Sequence, residues 1–318
     1  MKKLKSLGLY GIVSIFMLGF YHCTSDEAIF TGFPIEWDYH SIQEVHDDLN
    51  LSDTIQVAID DLSGEQIINS PQGTQIILPE NSITISGGGD PALPIELRYI
   101  EVYKRGDMIS HRMQTYDGQN PLVAAGMIWF EGSDANGNPL IFDGAQAVMP
   151  YQTDANGYED AMFQFTGFTQ ISPSGPVLSW SGGVIGVPFE NNEFTVLDLN
   201  TDWNHVGAYY EFDEESEEKT QFSVDIEGVE SYELAEVYFA SNDFSTVTAL
   251  TLVEQDRLTT QLQTIPLGVT GKLVGIALIE GKLNFGIQDV TINGDDEFTM
   301  SLEQGTIEEL QTLLNTLN

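Results

Sequence analysis

Residues 94–109, with the sequence PIELRYIEVYKRGDMI, decide the fold class of this 318-residue chain. Ile95, Leu97 and Tyr99 alternate with polar residues, which is the period of two of a β-strand with one buried face. The apolar positions then change phase at Ile100 and Val102, which indicates either a β-bulge or a strand that is covered on both faces. In both cases the stretch predicts a β-strand.

Shorter β-rich runs lie on both sides of this strand and are separated by Gly, Pro, Asn and Asp, a pattern typical of an all-β sandwich or barrel. They occur at residues 73–78, 127–130, 147–149, 161–165 and 177–180, and again at 222–226, 235–240, 247–252, 258–262, 272–279 and 282–287. The Gly-rich residues 181–183 indicate a domain boundary. The sequence therefore predicts an all-β fold of two β-sandwich domains in tandem, at residues 51–185 and 186–318.

The C-terminal end has a helical pattern instead. Thr306 can cap a helix and Glu309 can complete a capping box. The apolar residues of one helix face are Ile307, Leu310, Leu313, Leu314 and Leu317. We expect this short C-terminal helix to pack on the second domain, with binding to a partner as the alternative. Residues 41–49 predict a further short helical turn.

Residues 1–22 have the pattern of a secretion signal. Lys2, Lys3 and Lys5 precede an apolar segment at residues 7–20, whose 14 residues are fewer than the roughly 18 to 20 that a membrane-spanning helix requires. Cys23 is the only cysteine of the chain, and an unpaired cysteine in an exported protein needs an explanation.

This segment resembles a bacterial lipobox, in which the cysteine becomes the acylated first residue of the mature protein. Ser25, Asp26 and Glu27 resemble the acidic tag that sends some lipoproteins of the Bacteroidota to the outer leaflet. The resemblance implies lipidation of Cys23, an acidic tether at residues 23–50, and a lipid-anchored position on the outer membrane at the cell surface. Cleavage after Ser25 and secretion are the alternative.

The chain is strongly acidic, with 11 Lys and Arg against 49 Asp and Glu. Removal of residues 1–22 takes away three lysines and no acid, so the formal charge changes from −38 to −41. This charge excludes nucleic acid as a partner, because nucleic-acid binding depends on basic side chains that neutralise phosphates. We expect contact with a membrane only through the N-terminal lipid, and a surface protein or a glycan as the other possible partner.

Several phrases of the first domain, at residues 72–83, 94–109, 124–140 and 160–167, resemble in sequence and spacing a family of surface lipoproteins of the Bacteroidota. These proteins contain a β-sandwich related to the ZU5 domain. Residues 202–212 and 233–245 resemble the second module of the same proteins. The resemblance implies a ZU5-like surface β-sandwich protein, and it brings no catalytic motif with it.

The phrase DANG occurs at residues 134–137 and again at 154–157. These loops supply oxygen ligands of the kind that calcium prefers, and the candidate metal-binding residues are Asp134, Asn136, Asp154, Asn156 and Asp160. The alternative is structural, because Asn-Gly is the preferred centre of a type I′ hairpin turn. We therefore expect no cofactor, with calcium as the alternative.

Four of the eight basic residues that follow residue 22 lie within 15 positions of one another. They are Arg98, Lys104, Arg105 and Arg112. One interpretation is that they form internal ion pairs that offset local repulsion between carboxylates. The other is a binding site for a carboxylated or sulfated glycan.

The sequence contains no motif of a serine hydrolase, a zinc protease, a P-loop or a dinucleotide-binding fold. We therefore expect a structural, adhesive or ligand-binding protein without catalytic activity. One alternative is a glycan-binding accessory lipoprotein of a polysaccharide-uptake system, in which Trp129, Trp203 and Tyr209 could stack on sugars rather than pack in the core. The other is a glycoside hydrolase with a pair of carboxylates.

Overall fold

The computed structural model describes residues 38–50, 53–151, 157–211, 219–261 and 264–317. The predicted signal segment and the lipidation site Cys23 lie outside the described residues, as do Asp154 and Asn156 of the second predicted calcium loop. The described residues all belong to one compact unit.

The first half of the chain folds into a β-sandwich whose two main sheets are antiparallel throughout. A six-stranded sheet in the order β1-β5-β6-β13-β9-β10 faces a five-stranded sheet in the order β11-β12-β8-β3-β2, and β4 pairs with β7. The strands are β1 Ile55–Ile59, β2 Gln66–Asn69, β3 Gln75–Leu78, β4 Ile83–Ile85, β5 Ile95–Val102, β6 Leu122–Ser133, β7 Leu140–Phe142, β8 Gln146–Pro150, β9 Phe163–Ser172, β10 Gly175–Gly186, β11 Phe189–Glu190, β12 Glu193–Val196 and β13 Asp202–Tyr209. Leu97, Phe130 and Phe194 are among the buried residues of its core.

The second half folds into another β-sandwich. A four-stranded sheet in the order β18-β19-β15-β23 faces a five-stranded sheet in the order β17-β16-β21-β22-β24, and β14 pairs with β20. The strands are β14 Lys219–Thr220, β15 Phe222–Ile226, β16 Ala235–Ser241, β17 Val247–Ala249, β18 Leu252–Glu254, β19 Arg257–Thr259, β20 Ile265–Pro266, β21 Thr270–Ile279, β22 Lys282–Thr291, β23 Asp296–Met300 and β24 Glu303–Gln304. Phe222, Phe239 and Leu273 are buried in its core. The predicted all-β fold with two β-sandwiches is therefore confirmed.

The α-helices of the described chain are α1 Ile42–Leu49, α2 Arg105–Ser110 and α3 Ile307–Leu314. The predicted capping box of α3 is present, since the Thr306 side chain accepts from the Glu309 backbone N–H and the Glu309 side chain accepts from that of Thr306. Helix α2 follows directly on β5 within the stretch that decides the fold. In the described part of the chain, no helix has the length and hydropathy needed to span a membrane.

A third apolar core joins the two sandwiches, and we call it the shared core. It contains Met127 and Trp180 from the outer face of the six-stranded sheet, Tyr238 and Val274 from the five-stranded sheet of the second sandwich, and the buried faces of α1, α2 and α3. Helix α3 contacts α1, α2 and β22, so it packs at the junction and not on the second sandwich alone.

Strand β5 shows why the sequence pattern changes phase at its centre. Its pairings with β1 and β6 contain no register shift, so there is no bulge. Leu97 and Tyr99 belong to the core of the first sandwich, whereas Val102 belongs to the shared core. The strand is therefore covered on both faces at its C-terminal end.

The two groups of sheets divide after Tyr209 and not at residue 185. Residue 185 lies within β10, and β13 of the predicted second domain pairs with β6 and β9 in the first sandwich. Gly182 and Gly183 adopt φ values of 114° and 69° at a register shift between β9 and β10. Positive φ is the conformation that favours glycine, so these residues form a bulge inside a strand instead of a linker.

Candidate functional site

A cleft of about 190 Å³ opens at the junction of the two sandwiches. Helix α1 provides one wall, the segment after α2 provides the floor, and the hairpin of β9 and β10 provides the other wall. The lining side chains that matter for its chemistry are Gln43, His46, Asn50, His111, Arg112, Thr169 and Leu178. We call this site the junction cleft.

A buried cluster of charged side chains lies beneath the junction cleft. The Glu236 carboxylate is 3.1 Å from the Arg112 guanidinium, and its other oxygen is hydrogen-bonded to His46 Nε2. His46 Nδ1 lies 2.7 Å from the main-chain oxygen of Ser110. Burial by itself raises the pKa of Glu236, but His46 and Arg112 outweigh this effect, so the pKa lies below its ordinary value.

This cluster connects elements that are distant in the chain. His46 belongs to α1, Arg112 follows α2, and Glu236 belongs to β16 of the second sandwich. The Arg112 guanidinium also donates to Gln43 Oε1 at 3.1 Å and to Ser174 Oγ at 2.8 Å. One arginine therefore ties α1, the β9–β10 hairpin and the second sandwich together around the cleft.

The arrangement is not that of a serine nucleophile. Ser174 Oγ lies 3.3 Å from Glu236 Oε2, and the carboxylate stands between this hydroxyl and the His46 ring. A catalytic triad needs the imidazole next to the hydroxyl so that it can take the proton. The cluster is arranged to hold the walls of the cleft in place.

Two side chains that line the junction cleft keep unused hydrogen-bonding capacity. Arg112 Nε and Asn50 Oδ1 are both buried and have no hydrogen-bond partner among the described residues. Asn50 uses its other side-chain atom, Nδ2, to donate to the Ser110 oxygen at 2.8 Å. An unpaired buried donor and an unpaired buried acceptor each cost free energy, so a ligand that reached these atoms would recover part of that cost.

Aromatic side chains continue from the cleft across the six-stranded sheet, and we call this series the aromatic track. Trp203 on β13 stands directly opposite Trp129 on β6, and both are half-buried. Gly167 permits the close approach of Trp203 to the cleft, because a Cβ there would lie 2.9 Å from Trp203 Cβ and 3.0 Å from Leu178 Cδ1. At the far end the Arg98 guanidinium lies 5.7 Å from the centre of the Trp129 ring.

His111 connects the aromatic track to the cleft. Its ring meets the Trp203 ring edge-on, with 5.9 Å between the ring centres. Its Nε2 atom lies 3.1 Å from the carboxylate of Asp53. These contacts fix the orientation of His111, which lines the cleft, against the Trp203 ring.

The four basic residues predicted as one ligand site are not brought together. Arg98 pairs with Glu131 at 2.7 Å, Arg105 donates to the main-chain oxygens of Leu317 and Ser241, and Arg112 pairs with Glu236. Lys104 is exposed at the start of α2. Arg98 and Arg112 show the internal pairing that was the first of the two interpretations, and of the four residues only Arg112 lines the junction cleft.

The first predicted calcium loop uses its carboxylate for its own structure. Asp134 accepts hydrogen bonds from the backbone N–H groups of Asn136, Asn138 and Ala92 and from the Asn138 side chain, at 2.9 to 3.2 Å. These bonds lower its pKa to about 2. Asp160 is exposed on a 3-10 turn at Glu159–Ala161. Among the described residues no group of three or more His, Cys, Asp or Glu side chains is arranged to hold a metal.

Two larger cavities lie elsewhere on the first sandwich. One of about 280 Å³ is lined by Asn81, Ser82 and Leu93, and the Ser82 hydroxyl is also buried without a partner. The other, of about 370 Å³, is lined by Asp143 and Asp198. No basic side chain of the described chain lines either cavity, so neither offers a buried arginine like the one that lines the junction cleft.

Sequence reasoning missed His46, Asn50 and Glu236. His46 and Glu236 are 190 positions apart, and no short motif connects them. A signal was nevertheless present, because Glu236 stands between Ala235 and Val237 in a strand that is buried along its whole length. An acid in such a strand requires a partner. Trp129 and Trp203 were recognised as possible sugar contacts, and the structure leaves both half-exposed.

Comparison with protein-family models, with curated proteins and with solved structures found no match to this chain.

Proposed function

We propose that this protein is a non-catalytic ligand-binding or adhesive protein of the cell exterior, and that the junction cleft is its binding site. The observation that carries the proposal is the pair of unsatisfied polar atoms, Arg112 Nε and Asn50 Oδ1, on side chains that line the cleft. The charged groups around them are compensated, so these two atoms stand out as capacity for a ligand.

The shared core supports this proposal. It fixes α1, the β9–β10 hairpin and the second sandwich relative to one another, and these elements form or support the cleft. A site whose walls are held by packing loses little conformational entropy when a ligand binds. Binding by a preorganised cleft suits a protein that works by contact.

The proposed location rests on the sequence. The signal-like residues 1–22, the single cysteine at position 23 and the acidic residues that follow support export and attachment through a lipid. The formal charge of −41 after removal of residues 1–22 opposes direct contact with anionic membrane surfaces. A lipid anchor at the cell surface agrees with both the N-terminal signal and the negative charge. Labelled palmitate should be incorporated by the full chain but not by Cys23→Ala, which tests the anchor.

Blocking the cleft tests the proposed site. The mature chain is exposed to immobilised neutral glycans, anionic glycans and extracellular proteins, and binding is compared with that of Thr169→Trp. Thr169 is exposed and lines the cleft, so the indole would fill the site while the fold remains intact. The matched control is Thr166→Trp, three positions earlier on β9, where the side chain points to the other face of the sheet.

We expect the mature chain and Thr166→Trp to bind at least one class of ligand and Thr169→Trp to lose that binding. Equal binding by all three proteins would place the site elsewhere. Absence of binding to every class would contradict the proposed function. Release of new reducing ends from a bound glycan would show turnover and would contradict a non-catalytic role.

A further inference from the structure

We infer that the ligand of the junction cleft is a neutral saccharide, with one sugar ring in the cleft and the chain continuing along the aromatic track. This inference rests on the proposed function, because it names the ligand class of the same site. It depends on three features of the cleft: its unpaired atoms, its charge balance and its aromatic wall.

The unpaired atoms differ in hydrogen-bonding type. Arg112 Nε can only donate, and Asn50 Oδ1 can only accept. An anionic group would satisfy the arginine and leave the asparagine oxygen unpaired, whereas a cation would do the reverse. A hydroxyl group both donates and accepts, so the neighbouring hydroxyls of a sugar ring can satisfy both atoms at once.

The charge balance argues against an acidic glycan. The Arg112 guanidinium is already paired with Glu236, and Arg98 at the end of the track is paired with Glu131. The neighbouring His111 faces the Asp53 carboxylate. With a formal charge of −41 on the mature chain, a polyanion would be repelled during approach, and Arg112 and Arg98 already have carboxylate partners.

The aromatic wall provides a surface for a sugar ring. The face of an aromatic ring carries partial negative charge, and the C–H groups of a sugar ring carry partial positive charge, so the two faces attract each other. Trp203 contacts His111, which lines the cleft, and Trp129 follows one strand further along the sheet. From β10 to β5 the track crosses four inter-strand spacings, which gives about 19 Å for a chain of sugars.

The size of the cleft agrees with a single ring. Its volume of about 190 Å³ is below the roughly 300 Å³ at which pockets for drug-sized ligands begin. The remainder of an oligosaccharide would therefore lie outside the cleft, where the aromatic track continues. The cleft would bind the end or a side branch of a neutral glycan.

The test uses titration calorimetry of the mature chain with short neutral oligosaccharides of glucose, mannose, xylose and galactose. Polygalacturonate and chondroitin sulfate serve as the anionic comparison. The variant is Trp203→Ala, and the matched control is Phe168→Ala, which removes a ring of similar exposure from the opposite face of β9 next to Gly167. Thermal melts confirm that each variant is folded.

We expect at least one neutral oligosaccharide to bind, with an affinity that falls about tenfold or more in Trp203→Ala and is unchanged in Phe168→Ala. The affinity should change little with salt, since no ion pair forms. Binding of the anionic polymers alone would overturn this inference and leave a ligand-binding function standing. Binding through the cleft by extracellular proteins alone, in the panel used to test the proposed function, would also overturn this inference and leave a ligand-binding function standing. If nothing binds through the cleft, both the inference and the proposed function fail.

Discussion

Glu236 is a buried carboxylate that His46 and Arg112 hold in the charged state. His46 and Arg112 contact its two oxygens, and Ser174 donates a further hydrogen bond. Replacement by glutamine keeps the shape but leaves Arg112 without its counter-ion. Because removal of one partner of a buried ion pair strands the other charge, we expect Glu236→Gln to lower the free energy of unfolding by about 3 kcal/mol or more at neutral pH.

The pH dependence of this difference has a definite direction. The pKa of Glu236 in the folded protein lies below the ordinary value of 4.5. Its stabilising contribution is therefore complete above about pH 4.5 and is lost as the pH falls through the lower folded pKa. Urea unfolding of both proteins at neutral pH and at about pH 3 checks this prediction. The difference in free energy of unfolding between the parent and Glu236→Gln should be smaller in acid. A gap that stays constant would mean that the carboxylate charge is not what stabilises the cluster.

His205 is a buried titratable side chain with no use in the proposed site. It is fully buried on β13 between Phe165 and Trp180, and within the described part of the chain neither ring nitrogen has a hydrogen-bond partner. Burial lowers its pKa from 6.5 to about 3, so the ring is neutral at physiological pH. Below pH 6.5 His205 is protonated in the unfolded chain but stays neutral in the folded protein. The free energy of unfolding therefore falls as the pH decreases towards 3.

Substitution of His205 by leucine removes both unpaired nitrogens and the titration. We expect His205→Leu to raise the free energy of unfolding by about 1 to 2 kcal/mol at neutral pH, because buried unsatisfied polar groups are costly. The gain should grow by about 2 kcal/mol at pH 5, since each pH unit below 6.5 is worth about 1.4 kcal/mol. Urea unfolding at the two pH values measures both. A variant less stable than the parent at pH 5 would show that packing of the imidazole outweighs its polarity.

At the scale of the element, helices α2 and α3 pack directly against each other in the shared core, and Gly106 of α2 lies at their contact. A Cβ at Gly106 would lie 2.2 Å from the main-chain oxygen of Leu314. Main-chain atoms cannot move aside without displacing the helix, so we expect Gly106→Val to separate α2 from α3 and lower the melting temperature by several degrees. Differential scanning calorimetry measures the shift.

The matched control for this substitution is Gly64→Val, since a Cβ at Gly64 meets no atom within 4 Å. Both changes replace a glycine by the same β-branched residue. Equal shifts in the two variants would attribute the loss at Gly106 to valine itself, and the close contact with α3 would then contribute nothing.

The elements that the sequence predicts correctly are those whose signal is local. The alternation in β5 and the capping box of α3 depend on neighbours within a few positions, and both are present. The domain boundary predicted at Gly182 and Gly183 was wrong, because glycines with positive φ occur in a bulge within a strand as well as in a linker. The junction cleft could not be predicted, since it forms from α1, the turn after α2 and a distant hairpin that only the folded chain brings together.

At the scale of the whole molecule, the shared core should make the two sandwiches unfold together. Trp129, Trp180 and Trp203 lie on strands of the first sandwich, with Trp180 and Trp203 at the shared core, so their fluorescence reports on this sandwich and on the junction. Far-ultraviolet circular dichroism reports on the strands of both sandwiches. The fourth tryptophan, Trp37, lies outside the described residues. If the shared core couples the two units, the two signals should change at the same urea concentration. Separate midpoints in the parent protein would mean that the sandwiches are independent domains joined by a weak contact.

Leu310→Asp tests the cause of this coupling. Leu310 is completely buried in the shared core, and a carboxylate there would have to be dehydrated without a partner, which costs several kcal/mol. The cost can be avoided if α3 detaches, which leaves each sandwich with its own core. We therefore expect the fluorescence and dichroism transitions to separate in Leu310→Asp. Thr312→Asp adds the same charge on the exposed face of the same helix and should keep them coincident. A single transition in both variants would show that contacts other than α3 couple the sandwiches, among them the charged cluster around Glu236 and the backbone hydrogen bonds from Thr115 to Val247 and from Ala124 to Ser245.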